Sequence, residues 1–295
     1  TQNQSSAASD VYKRQPHDSA ALGRSMRERV VIKWGGGLIT QKDRMKTVRT
    51  DVLDHLTDQL ESCITAGLDV VLVHGAGSFG HLKAKAYRLA DGRLPDGEVP
   101  VEMTQDEAVM AVRKDMIELN QHVLNALTKY DISAVVLHPH QWARNTGPTF
   151  EGSLEMFAAA PRGIVMVTHG DVVDCDGPAD FGILSGDDLV LRLATELPNV
   201  KRLVFAMGGV EGVLSSPPTG GNDEQLLMPV LQRSDVFDGT HHEAMDVTGG
   251  IGLKVARGFQ AAESGVEVHL VSGEHEGRVR DACLGLDVRG TVLSP

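Results

Sequence analysis

The apolar residues of this chain form short uninterrupted runs that alternate with longer stretches of three- and four-residue spacing. The short runs predict strands buried on both faces of a sheet, at residues 29–34, 70–73, 132–137, 163–168, 202–207, 266–271 and 290–293. The spaced stretches predict helices that pack through one face, at residues 47–66, 104–129, 189–197 and 279–284. Because the two kinds of segment alternate, the pattern predicts an α/β fold with a mostly parallel sheet.

Residue choice at the segment ends supports this interpretation. Gly67 directly follows the stretch 47–66 and suits a helix C-cap, where a positive φ is often required. Thr104 and Glu107 have the spacing of a capping box at the start of the next long helix. The polar stretch 174–180 is rich in Asp, Gly and Pro, and it predicts a loop or a hairpin.

Glycines follow the first two predicted strands directly. Three consecutive glycines at 35–37 follow the first strand, and Gly75, Gly77 and Gly80 follow the second. Glycine has no Cβ, so its amide can approach a ligand closely and point its N–H at an anion. A strand, a glycine turn and a helix N-terminus together form a phosphate-binding arrangement. The chain is therefore predicted to bind phosphate groups.

Four ionisable side chains accompany these glycine sites. Lys33 lies in an apolar strand, where an unpaired ammonium is costly, and near its carboxyl end, where α/β sheets bind ligands. His81 follows the second glycine turn and can donate to a phosphate oxygen, or it can simply cap or pack. Lys254 follows a Thr-Gly-Gly turn and is either a phosphate ligand or a solvated helix lysine. Asp187 opens a helix, where the dipole favours a carboxylate, and it can hold the lysines in place.

Common nucleotide and hydrolase motifs are weakly matched or missing. Gly75, Gly77 and Gly80 match G-x-G-x-x-G, but no second strand ending in an acidic residue follows about 20 residues later. The sequence has no G-x-x-x-x-G-K-[ST], and Ser78 does not lie in G-x-S-x-G. A dehydrogenase, a P-loop NTPase and an α/β-hydrolase are therefore disfavoured.

Charge and cysteine content narrow the function further. The 295 residues carry a formal net charge of −12 and only 4% aromatic residues, which disfavours general binding to nucleic acid or anionic membranes. Cys63, Cys175 and Cys283 lie far apart, which predicts neither a disulfide framework nor a zinc site and suits a reducing cytoplasm. No apolar run approaches about 18 residues, so no membrane span is predicted.

The chain is predicted to divide into a tail and two lobes. Residues 1–27 are polar and lack the apolar core of a signal peptide, so they are predicted to be a disordered tail or a cloning remnant. An N-terminal lobe is predicted at 28–198 and a C-terminal lobe at 199–295, with the boundary near Pro198.

Taken in order, four motifs resemble those of the amino acid kinase superfamily, and most closely its isopentenyl phosphate kinases. They lie at 33–42, 74–81, 169–188 and 246–254, and the resemblance extends from residue 29 to the end. Ser-Phe-Gly-His at 78–81 is the most specific, because in this family the histidine separates kinases of a phosphate from kinases of a carboxylate. The resemblance implies an open three-layer αβα sandwich with a mostly parallel sheet, usually homodimeric, with the acceptor in the N-terminal lobe and ATP in the C-terminal lobe.

The resemblance also implies a reaction and its residues. ATP, carrying Mg²⁺, would phosphorylate isopentenyl phosphate, a small alkyl phosphate of isoprenoid biosynthesis by an alternative mevalonate route. The implied catalytic residues are His81, Lys33, Lys42, Asp187 and Lys254. The implied acceptor site comprises His81 with Gly36, Gly37, Gly75, Ala76, Gly77, Gly80, Tyr87, Gly170, Asp171 and Ile183, and Phe79 is a further candidate beside the five-carbon tail. The implied nucleotide site comprises Lys33, Gly35, Gly208, Gly212, Gly249, Gly250 and Lys254, and no protein-bound metal is implied.

Some positions depart from the family pattern and leave other functions open. Residues 207–214 read Met-Gly-Gly-Val-Glu-Gly-Val-Leu where the family usually has Thr-Asp-Val-Asp-Gly-Val-Tyr, which puts the nucleotide contacts in question. Trp34, Gly37 and Ala76 also replace the family's usual residues. Two alternatives follow: a fosfomycin-type phosphonate kinase, which shares the histidine turn, and a non-catalytic nucleotide or ligand sensor on the same fold.

Overall fold

The computed structural model describes residues 27–41, 43–216, 226–237 and 250–295. Its strands are β1 (Arg29–Trp34), β2 (Asp69–His74), β3 (Ala134–Val136), β4 (Val165–His169), β5 (Asp171–Asp174), β6 (Phe181–Leu184), β7 (Val200–Met207), β8 (Val230–Gln232), β9 (Glu267–Ser272) and β10 (Thr291–Ser294). Its helices are α1 (Gly36–Ile39), α2 (Thr50–Thr65), α3 (Gly77–Ala86), α4 (Gln105–Lys129), α5 (Pro139–Trp142), α6 (Glu155–Ala158), α7 (Gly186–Glu196), α8 (Gly250–Glu263) and α9 (Arg278–Leu284).

Eight of the strands form one sheet in the order β3-β4-β2-β1-β7-β9-β10-β8. Neighbouring strands in it are parallel, except that β9 and β10 are antiparallel. β5 and β6 form a separate antiparallel hairpin. The carboxyl ends of β1, β2, β4 and β7 therefore meet at one edge, which is where open α/β sheets bind ligands.

Alternate residues of β1 belong to two apolar clusters. Val30, Ile32 and Trp34 pack in the cluster that includes α2 and α4, and Val31 packs in the cluster that includes α7 and α8. Helices therefore cover both faces of the sheet, which explains why its strands are apolar throughout. This arrangement confirms the predicted αβα sandwich.

Most predicted elements are present with shifted ends. The capping box is confirmed, because Glu107 N donates to Thr104 Oγ1 at 3.2 Å and Thr104 N donates to Glu107 Oε2 at 2.7 Å. Gly67 has a φ of +96°, as its predicted role at the end of α2 requires. The predicted hairpin is the β5–β6 turn. The short helix α6 overlaps the stretch 148–157, which was predicted to be irregular or short-helical. β8 and α5 were not predicted, because three or four residues are too few to establish a periodicity.

The prediction of glycine turns was wrong in one respect: both stretches are mainly helical. α1 begins at Gly36, and α3 begins at Gly77, whose φ of +50° turns the chain out of β2 directly into the helix. His81 therefore lies on a helix rather than on a turn. Similarly, α7 begins at Gly186 rather than at Leu189.

The sheet is continuous across the predicted lobe boundary, because β1 pairs directly with β7. Arg27, assigned to the tail, donates to Asp69 Oδ1 at 2.6 Å and to Gly67 O at 3.0 Å, so it is part of the fold. The other tail residues, 1–26, lie outside the described residues. Within the described part of the chain, every helix is too short or too polar to cross a bilayer.

Candidate active site

A cleft at the carboxyl edge of the sheet is lined by residues of both predicted lobes. Its walls come from the ends of β1, β2 and β7, from α1 and α3, and from the start of α8. Among its lining residues are the predicted site residues Lys33, Gly35, Gly36, Gly37, Gly75, Ala76, Gly77, Gly80, His81, Gly170, Asp171, Ile183, Gly208, Gly212, Gly250 and Lys254. The structure therefore brings the two lysines and the histidine into one cleft.

Two residues predicted beside the five-carbon tail do not line this cleft. Tyr87 and Phe79 are both buried in the core. Gly77, Gly80, His81 and Ala84 of α3 line the cleft at intervals of three, four and seven, and Phe79 lies outside this spacing. Tyr87 fits the spacing but follows the end of α3, and it packs in the core. Lys42 and Gly249 lie outside the described residues.

A buried carboxylate lies between the two lysines. Asp187 is fully buried in the first turn of α7, where its amide donates to Ser185 Oγ at 3.1 Å. Lys33 Nζ donates to Asp187 Oδ1. Asp187 Oδ2 lies 3.5 Å from Lys254 Nζ and accepts no hydrogen bond within the described residues. Two ammonium groups around one carboxylate give a cluster of net positive charge, suited to an anionic ligand.

The glycines of the first two loops pack backbone against backbone. A Cβ on Gly36 would overlap the amide nitrogen of Gly77, and a Cβ on Gly75 would overlap the amide of Gly36. Thr40 joins the same loops, because its Oγ1 donates to Gly36 O at 2.8 Å and accepts from Ser78 N at 3.0 Å. These glycines are therefore required by loop packing as well as by any ligand, a constraint that sequence reasoning missed.

The N-terminal part of α3 faces the cleft. Gly77, Ser78 and Gly80 line it together with the half-buried His81. The partial positive charge of a helix N-terminus favours an anion there. An anion at this wall would meet the helix dipole and the imidazole together.

Two buried histidines end the neighbouring strands β2 and β4. His74 and His169 are paired in register, and their rings lie 5.1 Å apart. His74 Nδ1 lies 3.1 Å from Gly75 O, and His169 Nδ1 lies 3.0 Å from Gly170 O. Burial, reinforced by His169, lowers the pKa of His74 to about 3, and burial also lowers the pKa of His169. Both rings are therefore neutral and carry one N–H each. His169 Nδ1 donates to Gly170 O, whereas His74 lies between two acceptors, Gly75 O and Asn120 Oδ1 at 3.1 Å, and its single N–H can donate to only one of them.

A second layer of imidazoles supports these strand ends. His138 Nδ1 lies 2.9 Å from His169 Nε2, and burial lowers the pKa of His138. His140 Nδ1 lies 2.7 Å from Asp171 Oδ2. Asp171 Oδ1 also accepts from the amide of Val172 at 2.9 Å. The carboxylate of Asp171 is thus occupied by the protein itself. Sequence reasoning missed His138 and His140, because nothing local relates them to the strand end of β4.

The end of the cleft beyond His81 is apolar. α4 contributes Val112 and Met116, and the β5–β6 hairpin contributes Val172 and Ile183. Val112 and Met116 belong to the helical stripe that predicts α4, and they are buried like the rest of it. No signal in the sequence separates a stripe residue that lines a cleft from one that only fills the core.

The other end of the cleft is formed by the segment after β7 and by the start of α8. Met207, Gly208, Val210, Gly212, Leu214 and Ile251 line it. Glu211 pairs with Arg278, with His275 at 2.8 Å and with Arg289 at 3.0 Å. Burial alone would raise the pKa of Glu211, but Arg278 and His275 outweigh burial and hold that pKa below its usual range.

Comparison with known proteins identifies the family. The model of the amino acid kinase family matches residues 28–272. Isopentenyl phosphate kinase of Methanothermobacter thermautotrophicus is 30% identical over 272 residues, which cover 90% of this chain and 98% of that protein. The enzyme of the same name from Haloferax volcanii is 32% identical over 264 residues, covering 85% of this chain and 97% of that one.

Solved structures agree with the sequence comparisons. One structure of an isopentenyl phosphate kinase has a TM-score of 0.75 at 25% identity, covering 90% of this chain and all of that chain. A product complex of the Thermoplasma acidophilum enzyme has a TM-score of 0.69 at the same identity and coverage. The chain belongs to the amino acid kinase family.

Proposed function

We propose that this chain transfers the γ-phosphoryl group of ATP to the phosphate of isopentenyl phosphate, giving isopentenyl diphosphate and ADP. The observation that carries the proposal is the single cleft shared by Lys33, His81 and Lys254. Three cationic or hydrogen-donating groups along one cleft fit two facing phosphates. The relatives named above act, by their names, on isopentenyl phosphate.

The acceptor is assigned to the end of the cleft at α3. His81 donates to the acceptor phosphate, and the amides near Gly36, Gly75 and Gly77 complete its surroundings. Because Asp171 is occupied by His140 and Val172, its contribution is to hold the Gly170 loop rather than to bind the ligand. Val112, Met116 and Ile183 provide an apolar surface for the five-carbon tail.

ATP is assigned to the end of the cleft at α8. Lys254 binds its phosphates, with the backbone at Gly208, Gly212 and Gly250 alongside. Gly249, which lies outside the described residues, is assigned to the nucleotide from the sequence alone. Lys33 lies between the two ends and contacts the transferred group, and Lys42 is assigned the same task. Asp187 aligns Lys33 and Lys254 through its two carboxylate oxygens.

The chemistry requires alignment and charge neutralisation rather than a base. The acceptor oxygen of a phosphate monoester is already anionic near neutral pH, so no proton has to be removed before attack. As charge spreads over the transferred group, the ammonium groups of Lys33 and Lys254 stabilise it. Mg²⁺ enters as part of the ATP substrate, where it neutralises the β- and γ-phosphates.

A panel of phosphorylated acceptors tests this proposal. The purified protein with Mg–ATP is assayed for ADP in the presence of isopentenyl phosphate, other alkyl monophosphates and fosfomycin. Isopentenyl phosphate is expected to have the highest kcat/KM, with isopentenyl diphosphate identified by ³¹P NMR. Preference for fosfomycin would indicate the phosphonate kinase, and nucleotide binding without turnover of any acceptor would indicate the sensor.

We also propose that the protein functions as a homodimer in the cytoplasm. The cysteines are compatible with a reducing compartment, because all three are free thiols within the described residues. Light scattering coupled to size-exclusion chromatography is expected to give twice the mass of the chain. A mass equal to one chain would contradict the dimer.

A further inference from the structure

The segment 273–278, which follows β9, holds the nucleotide-side segment 208–214 in place. Gly273 N donates to Met207 O at 2.8 Å, and Gly209 N donates to Glu274 Oε2 at 3.0 Å. His275 and Arg278 both pair with Glu211. Four contacts therefore connect this wall of the cleft to a segment that lies about 60 residues later in the sequence.

The same segment also contacts α1 and the start of α2. Glu274 Oε1 pairs with Arg49 Nη1 at 2.6 Å. Arg49 lies at the start of α2, and its amide donates to Ile39 O, at the end of α1, at 2.9 Å. A Cβ on Gly273 would overlap the side chain of Leu38, so this segment also lies directly against α1.

Glu274 therefore uses its two oxygens for two different segments. Oε2 accepts from the amide of Gly209 in the nucleotide-side segment, and Oε1 accepts from Arg49 at the start of α2. Gly209 has a φ of +76°, which a residue with a Cβ rarely adopts. The amide of Gly209 is thus held in an unusual backbone conformation by a carboxylate from a neighbouring loop.

The held segment is part of the cleft wall. Gly208 and Val210, on either side of Gly209, both line the cleft. A Cβ on Gly208 would lie 3.0 Å from Leu38 Cα, so the nucleotide-side segment and α1 are already in close contact. A small shift of Gly209 would move two cleft-lining residues.

We propose that Glu274 is a positioning residue for the nucleotide, which sets the segment 208–214 against α1 through its paired contacts with Gly209 and Arg49. The inference rests on the proposed function in one respect, that the α8 end of the cleft binds ATP. Arg49 and Glu274 are about one-third exposed, so the pair adds little to folding. Its effect is expected in nucleotide affinity.

Steady-state kinetics of four variants and one control test this inference. Glu274→Ala removes both contacts and is expected to raise the KM for ATP about tenfold, with the KM for isopentenyl phosphate within about twofold of wild type. Glu274→Gln retains an acceptor for Gly209 but loses the charge, and Arg49→Ala removes only the ion pair, so each is expected to raise the KM for ATP about threefold. The variant carrying both Arg49→Ala and Glu274→Ala is expected to match Glu274→Ala, because Arg49 acts on the segment only through Glu274.

Glu267→Ala is the matched control, because it removes a paired carboxylate from the opposite end of β9. Glu267 pairs with Arg202 at 3.2 Å and with His269 at 2.7 Å, and it does not line the cleft. Its kinetic constants are expected to equal those of wild type. Thermal unfolding of every variant checks that it is folded. If Glu274→Ala does not fold, the comparison is made with Glu274→Gln instead.

The inference is overturned if the KM for ATP stays within twofold in Glu274→Ala, or if both KM values rise together. Calorimetric titration with ADP separates this outcome from failure of the proposed function. If wild type does not use isopentenyl phosphate, ADP is still expected to bind Glu274→Ala about tenfold more weakly than wild type. Equal ADP affinity would overturn the inference independently of the acceptor.

Discussion

The ends of the cleft to which the acceptor and the nucleotide are assigned, called the acceptor end and the nucleotide end, are built by different means. Gly36, Gly75 and Gly77 bring two loops together backbone to backbone at the acceptor end, and neutral buried imidazoles hold the adjoining carbonyls. The nucleotide end depends on partly exposed ion pairs such as those of Glu211 and Glu274. Close-packed backbone tolerates no added atom, whereas surface ion pairs can be exchanged at little cost.

Both ends of the cleft contain residues that differ from the pattern expected from the family resemblance. At the acceptor end these are Trp34, Gly37 and Ala76, beside a motif at 74–81 that retains the expected histidine, and at the nucleotide end they lie in the segment 207–214, which lacks the expected aspartates. Charged partners from another segment, 273–278, now hold the altered stretch. We expect substitutions at the acceptor end to act on geometry and those at the nucleotide end to act on affinity.

The largest effect is expected at Lys33, which lies between the two ends. Lys33→Ala removes a cation from the transferred phosphoryl group and leaves Asp187 with fewer partners, so kcat is expected to fall by about 10²–10³. Lys201→Ala, an exposed lysine of β7, serves as control and is expected to retain full activity. A decrease in kcat of less than tenfold for Lys33→Ala would contradict the assigned role.

His81→Ala and Lys254→Ala separate the two ends directly. Loss of one charge-assisted hydrogen bond weakens binding by about 1.5–3 kcal/mol, or about 10–100-fold. His81→Ala is expected to raise mainly the KM for isopentenyl phosphate, and Lys254→Ala mainly the KM for ATP. If each variant raised both KM values equally, the division of the cleft into two sites would be wrong.

Gly36→Ala tests the close packing of the acceptor end. Its Cβ would overlap the amide of Gly77, so the two loops have to separate at a cost of about 1–3 kcal/mol in the free energy of unfolding. The KM for isopentenyl phosphate is expected to rise more than the KM for ATP. Urea unfolding measures the first effect and kinetics the second. Unchanged stability would show that the loops can separate freely.

The smallest effect per variant is expected in the pH dependence of stability. Folding lowers the pKa of His74 from 6.5 to about 3, so the unfolded chain binds the proton more tightly. His74 therefore does not reduce the free energy of unfolding above about pH 6.5. As the pH falls from there towards 3, protonation of His74 in the unfolded chain lowers the free energy of unfolding by at most about 1.4 kcal/mol per pH unit. Urea unfolding at pH 7, 6 and 5 is expected to show a shallower slope for His74→Gln than for wild type. The exposed His122→Gln is the control, and equal slopes for all three proteins would contradict a neutral His74.

The sequence predicts the elements of this fold well because their signals are local. Continuous apolar runs mark the strands, and Thr104 with Glu107 marks a helix start. The glycine motifs, Lys33 and His81 also predict the cleft, since the ends of parallel strands must meet. The helical state of Gly77 could not be predicted, because glycine favours turns and only packing against α1 and α4 makes this stretch a helix.

The remaining site residues come together through distant parts of the chain. Val112 and Met116 are indistinguishable from core residues in the sequence. His138 reaches His169 only because β3 and β4 are neighbours. Glu274 lies in a loop with no motif, and its importance depends on the position of Gly209, 65 residues earlier. Such residues become neighbours through the order of the strands in the sheet, and local sequence patterns give no information about that order.

The direct pairing of β1 with β7 has a further consequence for catalysis. Lys33 lies opposite Phe205, and Trp34 lies opposite Ala206, so the loops that follow these two strands start side by side. Adjacent strands are separated by about 4.8 Å, a distance maintained by main-chain hydrogen bonds. The main-chain ladder thus fixes where these two cleft loops begin relative to each other.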